Sequence, residues 1–483
     1  MWPGFTYFQH QIEGIEWMLE KEEVGTLVED RTGGFVRVHG GFQCDDMGLG
    51  KTIQVASVII NNPCRRTLLI APLAMIDTWA DVLKRTGCAV YCLEKGSYKM
   101  EWTLMNDPDA PVVRRRFRPA VYISNYEKLY HTWSVFATEW DRVVLDEAHK
   151  IRNGDGEIAR SCRKIVAPLR WVVTGTPLVN SLKDVVSLIA FIGVPYSKLW
   201  RWEPRYLNIL PQILIHRSLD SLRSIIKGAP PVPEIIHMEL PFTTEAEEEF
   251  YYGVQGATES MAKKYSSDIL SGSQAFLLLL RLRQISVHPQ VYINARRRGI
   301  GGRLYDRKDW KGASTKLQKI QEIIQGDVSL SPHKYIIFCQ FYDEMSLIRE
   351  YLVSEGIVPR ENILSYSGNM TQDERADTLK RSKEISGTGV LLLQLQAGGV
   401  GLNLQEYDRI IFVSPWWTAA LMDQAVARAV RMGQTKVVKV FHLHLAAESE
   451  GTLNIDALVN AKAEEKRKML QKLFTICEAR RHG

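Results

Sequence analysis

Cysteine is scarce in this chain of 483 residues, which contains 7 scattered cysteines. Cys88 and Cys92 form the one close pair, and no second Cys or His pair follows nearby to complete four zinc ligands. An odd number of isolated cysteines also argues against a disulfide framework. We therefore expect reduced thiols in an intracellular protein.

Long hydrophobic runs are also missing. The longest apolar stretches lie near 185–194 and 276–280, and both are too short to cross a bilayer. The residues after Met1 show no basic stretch followed by an apolar run, so no secretory signal is predicted. These absences predict a soluble protein that does not associate with a membrane.

The excess of positive charge is small, at +6 for the whole chain. It permits a polyanionic partner without requiring one. Arginines cluster at 114–118 and at 296–303. Each cluster is as consistent with a solvated loop as with a surface for phosphate groups.

Short runs rich in Val, Ile and Leu recur along the chain, and most lead into a polar or glycine-rich turn. They cover 67–71, 120–124, 142–145, 171–173, 334–338, 390–393 and 409–413. Such runs are typical of buried parallel strands, and the helical patterns between them predict an α/β fold. The runs form two sets, with a proline-rich break near 228–233. We predict two domains, 1–230 and 231–483, with helical insertions after about 181 and at about 243–312.

The strongest local motif ends in Gly50-Lys51-Thr52, which matches the end of a P-loop. Successive backbone N–H groups in such a loop bind anions, helped by the N-terminus of the helix predicted over 53–60. Lys51 would reach the β- and γ-phosphates of a nucleotide, and the Thr52 hydroxyl would ligate Mg²⁺. The residues expected to contact the nucleotide here are Asp46, Met47, Gly48, Leu49, Gly50, Lys51 and Thr52. Asp45 stands where the usual pattern has its first glycine.

A second motif places two acids, Asp146 and Glu147, directly after the apolar run 142–145. Because an acid at the end of a buried strand is costly without a cation, a metal or a basic partner is expected. Asp146 fits a Mg²⁺-binding carboxylate, and Glu147 fits the residue that orients or deprotonates an attacking water.

Two further segments carry weaker signals. Thr174-Gly175-Thr176-Pro177 follows the run 171–173, where hydroxyl groups could sense a γ-phosphate, although a plain turn would have the same composition. On a helix, Gln424, Arg428 and Arg431 would share one face. Two guanidinium groups on one face suit a phosphate that gains charge in the transition state, although a solvated basic face remains an alternative.

Taken together, these motifs resemble those of the Swi/Snf family of DNA-dependent ATPases, within superfamily 2 of helicase-like motors. The resemblance extends from Gln11 to about Lys462. Its segments, in chain order, lie at 45–52, 68–73, 124–127, 146–153, 174–182, 280–285, 337–341, 397–404 and 424–434. It implies two tandem RecA-like lobes, parallel sheets flanked by helices, with helical insertions between the lobes.

The resemblance also implies a role for each matching residue. Gln11 would contact adenine. Lys51, Thr52, Asp146 and Glu147 would carry out hydrolysis of ATP with Mg²⁺ from the first lobe, while Arg428 and Arg431 would act as arginine fingers from the second. Gly399 and Gln434 would couple closure to the nucleotide. The candidates for contact with the DNA backbone are Pro72, Asn125, Asn153, Gln340 and Asn403.

The family typically moves along duplex DNA through its phosphates, with little sequence preference, and remodels nucleosomes or other DNA-bound proteins. We therefore expect an ATP-dependent double-stranded DNA translocase that acts as a monomer in a nucleus or in the replication compartment of a virus or phage host. Two alternatives are an RNA helicase and a nucleotide-gated DNA-binding scaffold with little turnover. Ala427 and Val430 depart from the family's usual Asp and His beside the arginines.

Overall fold

The computed structural model describes residues 4–29, 34–95, 100–105, 118–194, 206–265, 272–298, 305–328, 331–398, 402–446 and 454–479. The chain divides into two compact units. Unit 1 consists of Met1–Ala229 together with Lys466–Gly483, and unit 2 consists of Pro230–Glu465.

Unit 1 is built on a mostly parallel sheet. Its strands are β1 (Thr26–Glu29), β2 (Phe35–Gln43), β3 (Arg66–Ile70), β4 (Ala89–Lys95), β5 (Met100–Leu104), β6 (Ala120–Ser124), β7 (Arg142–Asp146), β8 (Leu169–Val173) and β9 (Leu214–Ile215). They lie in the order β1-β2-β8-β7-β3-β6-β4-β5, and β9 pairs with β2. β1 with β2 and β4 with β5 are antiparallel, while the other described pairs are parallel.

Helices cover both faces of this sheet. They are α1 (Gln9–Glu23), α2 (Lys51–Asn61), α3 (Ile76–Arg85), α4 (Trp133–Ala137), α5 (Glu157–Lys164), α6 (Lys183–Phe191), α7 (Tyr206–Ile213) and α8 (Leu219–Leu222), with short 3₁₀ turns at Leu73–Met75, Glu127–His131 and Ala148–Ile151. Because side chains alternate along a strand, β7 serves two cores. Val144 packs in the core that includes α1, α2 and α3, and Val143 and Leu145 pack in the core that includes α5, α6 and α7.

Unit 2 is built on a parallel sheet of six described strands. They are β10 (Glu234–Leu240), β11 (Lys334–Cys339), β12 (Ile363–Tyr366), β13 (Gly389–Gln394), β14 (Arg409–Phe412) and β15 (Lys439–Leu445), in the order β10-β15-β14-β11-β13-β12. Its helices are α9 (Glu245–Tyr265), α10 (Gly272–Val287), α11 (Pro289–Arg297), α12 (Thr315–Val328), α13 (Tyr342–Ser354), α14 (Gln372–Glu384), α15 (Leu395–Gly398), α16 (Ala419–Val426) and the start of α17 (Ile455–Ala479), with a 3₁₀ turn at Arg360–Asn362.

Both units confirm the predicted α/β class, since each has a parallel-sheet core flanked by helices. A third cluster of unit 2 joins helices rather than covering the sheet: Phe250 of α9, Leu282 of α10, Ile293 of α11 and Val459 of α17 pack together. We call this cluster the helical subdomain; α9, α10 and α11 lie in the part of the chain where an insertion was expected at about 243–312, whereas α17 lies near the end of the chain. Among the residues described, no helix is both long and apolar enough to span a membrane.

The end of the chain differs from the prediction. Residues from Lys466 onward group with unit 1, although the sequence assigned them to the second domain. Leu473, Phe474 and Cys477 of α17 are buried in the core that includes α5, α6 and α7. These apolar side chains share one face of the helix, and burying that face accounts for the grouping of this end of α17 with unit 1.

Candidate nucleotide site

Three neighbouring strands of unit 1 end at the same edge of the sheet. Gln43 at the end of β2 and Asp146 at the end of β7 are both in register with Val173 at the end of β8, the strand between them. The segments that follow these strands are the P-loop, Glu147 and Thr174–Pro177. The carboxyl edge of a parallel sheet is where ligands bind in folds of this kind, and the sheet thus gathers three separate motifs there.

The P-loop has the backbone geometry of an anion-binding turn. Gly48 and Gly50 adopt left-handed conformations, with φ of 86° and 80°, which side chains disfavour. α2 begins at Lys51, so the free N–H groups of its first turn open onto the loop. The Lys51 ammonium donates to the carbonyl oxygens of Asp45 (2.6 Å) and Asp46 (3.2 Å). Loop and amine thus form a compact cationic turn that fits a polyphosphate.

Gln11 packs directly on this loop. Its Oε1 accepts from the Phe8 N–H (3.1 Å), and its Nε2 donates to the Leu49 carbonyl (3.4 Å). A side chain at Gly50 would displace the Gln11 amide, and the φ of 80° at this position also favours glycine. The neighbouring His10 also contacts the Leu49 carbonyl (3.0 Å). The start of α1 therefore lies against the P-loop, where an adenine-reading carboxamide was expected.

Asp45 is fully buried beneath the loop and explains the departure from the usual P-loop pattern. Its carboxylate forms a two-point ion pair with Arg217, with distances of 3.0 Å (Nε–Oδ1) and 2.5 Å (Nη2–Oδ2). Gln43 and Gln54 each donate to its Oδ2 at 3.0 Å. A buried charge needs such full pairing. Sequence reasoning missed Arg217, because a partner 172 positions away leaves no local pattern.

Asp46 turns its side chain toward the segment that follows β9. Its Oδ2 accepts from the Leu219 N–H (2.8 Å), and its Oδ1 lies 3.5 Å from Nε2 of His216. Burial raises the pKa of the Asp46 carboxyl, but the bonds from His216 and Leu219 and the charge of Lys51 bring it below its usual value. Asp46 thus stays ionised and ties the loop to residues 216–219.

The two acids after β7 sit in different environments. Asp146 is buried; its Oδ2 accepts from the Trp79 indole (2.7 Å) and its Oδ1 from the Glu147 N–H (3.0 Å). Burial and the nearby Glu147 raise the pKa of Asp146 to about 6. A carboxylate that is costly to ionise is one that a bound cation would stabilise, which fits the Mg²⁺ role expected for Asp146 and Thr52.

Glu147 has a strained backbone. Its φ of 49° is the one positive value at a non-glycine position in the described part of the chain. Its Oε2 lies 3.3 Å from Nδ1 of His149. Strain of this kind costs about 1–3 kcal/mol and clusters at functional sites. Glu147 directly follows the last residue of β7, and its side chain is 14% exposed.

The third motif lies beside the P-loop lysine. The Thr174 N–H donates to the Gln43 carbonyl (3.1 Å), which holds the start of the motif on β2. The Thr174 hydroxyl accepts from the Thr176 N–H (3.2 Å). A side chain at Gly175 would lie 3.6 Å from the Lys51 amine. The structure therefore places this turn next to the group expected to hold phosphate.

In unit 2 the arginine motif differs from the prediction. α16 ends at Val426, so Arg428 and Arg431 lie in turns rather than on a helix face. The cause is the carbonyl of Arg428, which leaves the helical pattern to accept from the Leu404 N–H (3.0 Å). Burial and the charge of Arg428 lower the pKa of Arg431.

The residues around these arginines are held by backbone groups. Arg431 donates to the Leu402 carbonyl (3.2 Å). Gln434, expected to couple closure to the nucleotide, donates to the carbonyls of Gln405 (2.8 Å) and Tyr407 (3.2 Å). Gly399 lies outside the described residues.

The five candidates for DNA contact differ in accessibility. Asn153 and Asn403 are exposed, and Gln340 is half-buried. Pro72 and Asn125 are buried, and the Asn125 Oδ1 accepts from the Lys128 N–H (2.9 Å). Buried atoms cannot grip a phosphate without rearrangement, so the accessible three are the better candidates. Across the described ranges, no group of three or more His, Cys, Asp or Glu side chains is arranged to hold a metal ion.

Comparison with known proteins agrees with these motifs. The model of the SNF2-related domain matches residues 10–291, and that of the helicase conserved C-terminal domain matches residues 315–433. The "Probable global transactivator" of Orgyia pseudotsugata multicapsid polyhedrosis virus is 26% identical over 481 residues, with 96% of this chain and 91% of that protein covered.

Other relatives are longer. The "Putative ATP-dependent helicase/translocase YwqA" of Bacillus subtilis is 25% identical, and "DNA repair protein rad8" of Schizosaccharomyces pombe is 24% identical. The alignments cover 98% and 83% of this chain but only 51% and 50% of those proteins. A solved structure, the Sulfolobus solfataricus SWI2/SNF2 ATPase core in complex with dsDNA, is 22% identical with a TM-score of 0.39 and 97% of each chain covered. The first family model alone spans more than half of the sequence, and it confirms the resemblance found from the motifs: the chain belongs to the SNF2-related family of helicase-like, DNA-dependent ATPases.

Proposed function

We propose that this protein couples hydrolysis of Mg²⁺-ATP to movement along double-stranded DNA. The main support is the convergence of the P-loop, the Asp146–Glu147 pair and the Thr174 turn at one edge of the unit 1 sheet. Their chemistry is that of a phosphate site, and names such as "helicase/translocase" among the relatives point to a nucleic-acid track.

Each group at this edge has a distinct task in the proposal. Lys51 and the loop N–H groups bind the phosphates, while Thr52 and Asp146 hold Mg²⁺, which neutralises phosphate charge when bound. Glu147 orients or deprotonates the attacking water. Gln11 reads the adenine through its carboxamide.

Arg428 and Arg431 of unit 2 are assigned to the transition state of the same reaction. Partly desolvated guanidinium groups suit the charge that develops on a phosphoryl group there. If they meet the phosphate in only part of the cycle, hydrolysis can change the grip on DNA in steps. Asn153, Gln340 and Asn403 are the accessible candidates for that grip, through the DNA backbone rather than the bases.

The first test is ATP hydrolysis measured with duplex DNA, single-stranded DNA and RNA. We expect duplex DNA to stimulate phosphate release most strongly, and Glu147→Gln to abolish the stimulation while the protein still binds DNA. Strongest stimulation by RNA would support an RNA helicase instead. No difference between wild type and Glu147→Gln would support a nucleotide-gated scaffold.

The second test is movement itself. A third strand bound to the duplex as a triplex is displaced by a translocase without separation of the duplex strands. ATP-dependent displacement by wild type, but not by Glu147→Gln, is the expected result; hydrolysis without displacement would refute translocation. By analogy with the viral and repair-related names among its relatives, we place the protein in a nucleus or a viral replication compartment.

A further inference from the structure

The helical subdomain of unit 2 contains a concave basic surface apart from the motifs described above. A cavity of about 480 Å³ is lined by Arg307, Lys308, Trp310, Lys311, Ala246 and Gln318, among others. We call it the insertion cavity. Residues 291–312 carry seven Arg and Lys against two Asp, which concentrates most of the chain's net charge of +6 in one short segment.

The loop that forms this cavity is anchored by groups other than its own cations. Gln290 accepts from the Trp310 N–H (2.7 Å) and donates to Asp309 (3.0 Å). Arg297 binds the Asp309 carboxylate (2.5 Å) and the Arg307 carbonyl (2.6 Å). Asp309, the acid in the cavity lining, is thus already paired with Arg297 of α11.

Three cations remain at the cavity. Arg307 lies over the Phe250 ring, 3.7 Å from its centroid. Within the described ranges, neither Lys308 nor Lys311 has a carboxylate partner within 4.0 Å, and both are exposed. Three cations around the cavity, with the lining acid Asp309 already paired to Arg297, favour an anionic ligand.

The shape of the cavity narrows the class of anion. Its volume falls within the range of small-molecule sites and exceeds what a bare phosphate needs. Trp310, half-buried and stacked on Phe250 with ring centroids 5.9 Å apart, contributes a planar apolar wall. Cations beside an aromatic wall are the combination that binds unpaired nucleotides, through phosphate on one side and base on the other. A duplex exposes the edges of its bases in the grooves but keeps their faces stacked inside, so it would offer no base face to this aromatic wall.

We propose that the insertion cavity binds an unpaired nucleotide of a single-stranded nucleic acid, separately from the ATP site and the motor's duplex contacts. The inference takes from the proposed function only that nucleic acid is the partner. The shared chemistry is a phosphate with an attached base, which single-stranded DNA, single-stranded RNA or a free mononucleotide could supply.

The test is fluorescence anisotropy with an oligothymidylate of about 12 nucleotides, within the site sizes of single-strand binders. Lys308→Glu combined with Lys311→Glu is expected to weaken binding and to reduce the slope of log K against log salt by about 1.4, for two lost phosphate contacts. Ala246→Trp fills the cavity at an exposed helix position and is expected to weaken binding about tenfold with little change in slope. The matched control is Lys380→Glu with Lys383→Glu, which makes the same charge change at exposed positions of α14.

Cross-linking locates the contact independently of affinity. An oligonucleotide with 4-thiothymidine should cross-link to a peptide within 305–318. Oligothymidylate, oligouridylate and AMP are then added as competitors for single-stranded DNA, single-stranded RNA and a free mononucleotide. The natural ligand's class should reduce the cross-link most, and blunt duplex should reduce it little.

Equal effects of the cavity and control variants, or a cross-link only elsewhere in the chain, would overturn the proposal. Duplex-stimulated ATP hydrolysis at saturating DNA should be unchanged in the cavity variants. If wild type shows no duplex stimulation, the proposed function fails while the cross-link still reports on the cavity.

Discussion

The phosphate loop of unit 1 and the arginine turn of unit 2 are held in place by different means. Beneath the P-loop, buried side chains bond to one another: Asp45 is bound by Arg217, Gln43 and Gln54. In the arginine turn (residues 427–434), Arg431 donates to the Leu402 carbonyl and Gln434 to the Gln405 carbonyl. A change beneath the P-loop should therefore affect folding and chemistry together, whereas a change at Arg431 should affect chemistry more than folding.

The largest effect on this comparison is expected from Arg431→Ala. Removing a cation that stabilises transition-state charge should lower the ATP hydrolysis rate by about 10³–10⁵-fold. The melting temperature should change little, because the bond that Arg431 donates to the Leu402 carbonyl contributes little to stability. Steady-state phosphate release and thermal unfolding measure the two effects. Arg381→Ala, at an exposed position of α14, is the control. Full activity of Arg431→Ala would refute the role of the arginine turn.

The second largest effect is expected from Glu147→Gln. The rate of ATP hydrolysis should fall by about 10²–10⁴-fold, because an amide cannot accept a proton from water. The amide keeps the size of the side chain and the left-handed turn, so nucleotide affinity should be retained. Single-turnover hydrolysis and binding of a fluorescent ATP analogue separate these two quantities. Loss of binding in parallel with hydrolysis would mean that Glu147 acts mainly on the loop structure.

Arg217→Ala should chiefly affect folding. It leaves the Asp45 carboxylate buried and unpaired, and breaking a buried pair costs about 3–5 kcal/mol. We expect a clear fall in the free energy of unfolding of unit 1, accompanied by weaker nucleotide binding. Arg223→Ala is the matched control, since its partner Asp220 is 82% exposed and such pairs contribute about 0–1 kcal/mol. Equal effects of the two substitutions in chemical denaturation would remove the distinction between the two regions.

The smallest effect concerns pH. His216 is stacked on Phe474 and lies between Asp46 and Glu478; burial lowers its pKa, but the bonds to these carboxylates raise it above the usual value. Because the folded pKa is raised, the stabilisation is complete below the unfolded pKa of about 6.5 and is lost as pH rises through the folded pKa. The melting temperature should fall by a few degrees across that window. In His216→Gln this dependence should be absent; its persistence would assign it to another group.

Each of the seven apolar runs in the sequence coincides with a strand of the structure, and its ends lie within two residues of the strand's ends. β2 was missed because Phe35–Gln43 contains Arg37, His39 and two glycines, which do not resemble a buried strand. Those glycines are required by neighbouring backbones: a side chain at Gly40 would collide with the Arg170 carbonyl, and one at Gly41 with the Ile213 carbonyl.

The candidate site shows a similar limit. Motif spacing identified the P-loop, Asp146, Glu147 and the arginines, because each lies within a short stretch of chain. The Arg217–Asp45 pair and the end of α16 depend on contacts with distant segments, such as the Leu404 N–H that binds the Arg428 carbonyl. Local periodicity carries no information about such contacts.

The path of α17 has a consequence for how the protein is made. The ribosome synthesises Met1–Ala229, then all of unit 2, and only afterwards the residues from Lys466 that belong to unit 1. Until Leu473, Phe474 and Cys477 emerge, the core they fill stays incomplete and its apolar lining is exposed to water. The unit that carries the P-loop is begun first and completed last.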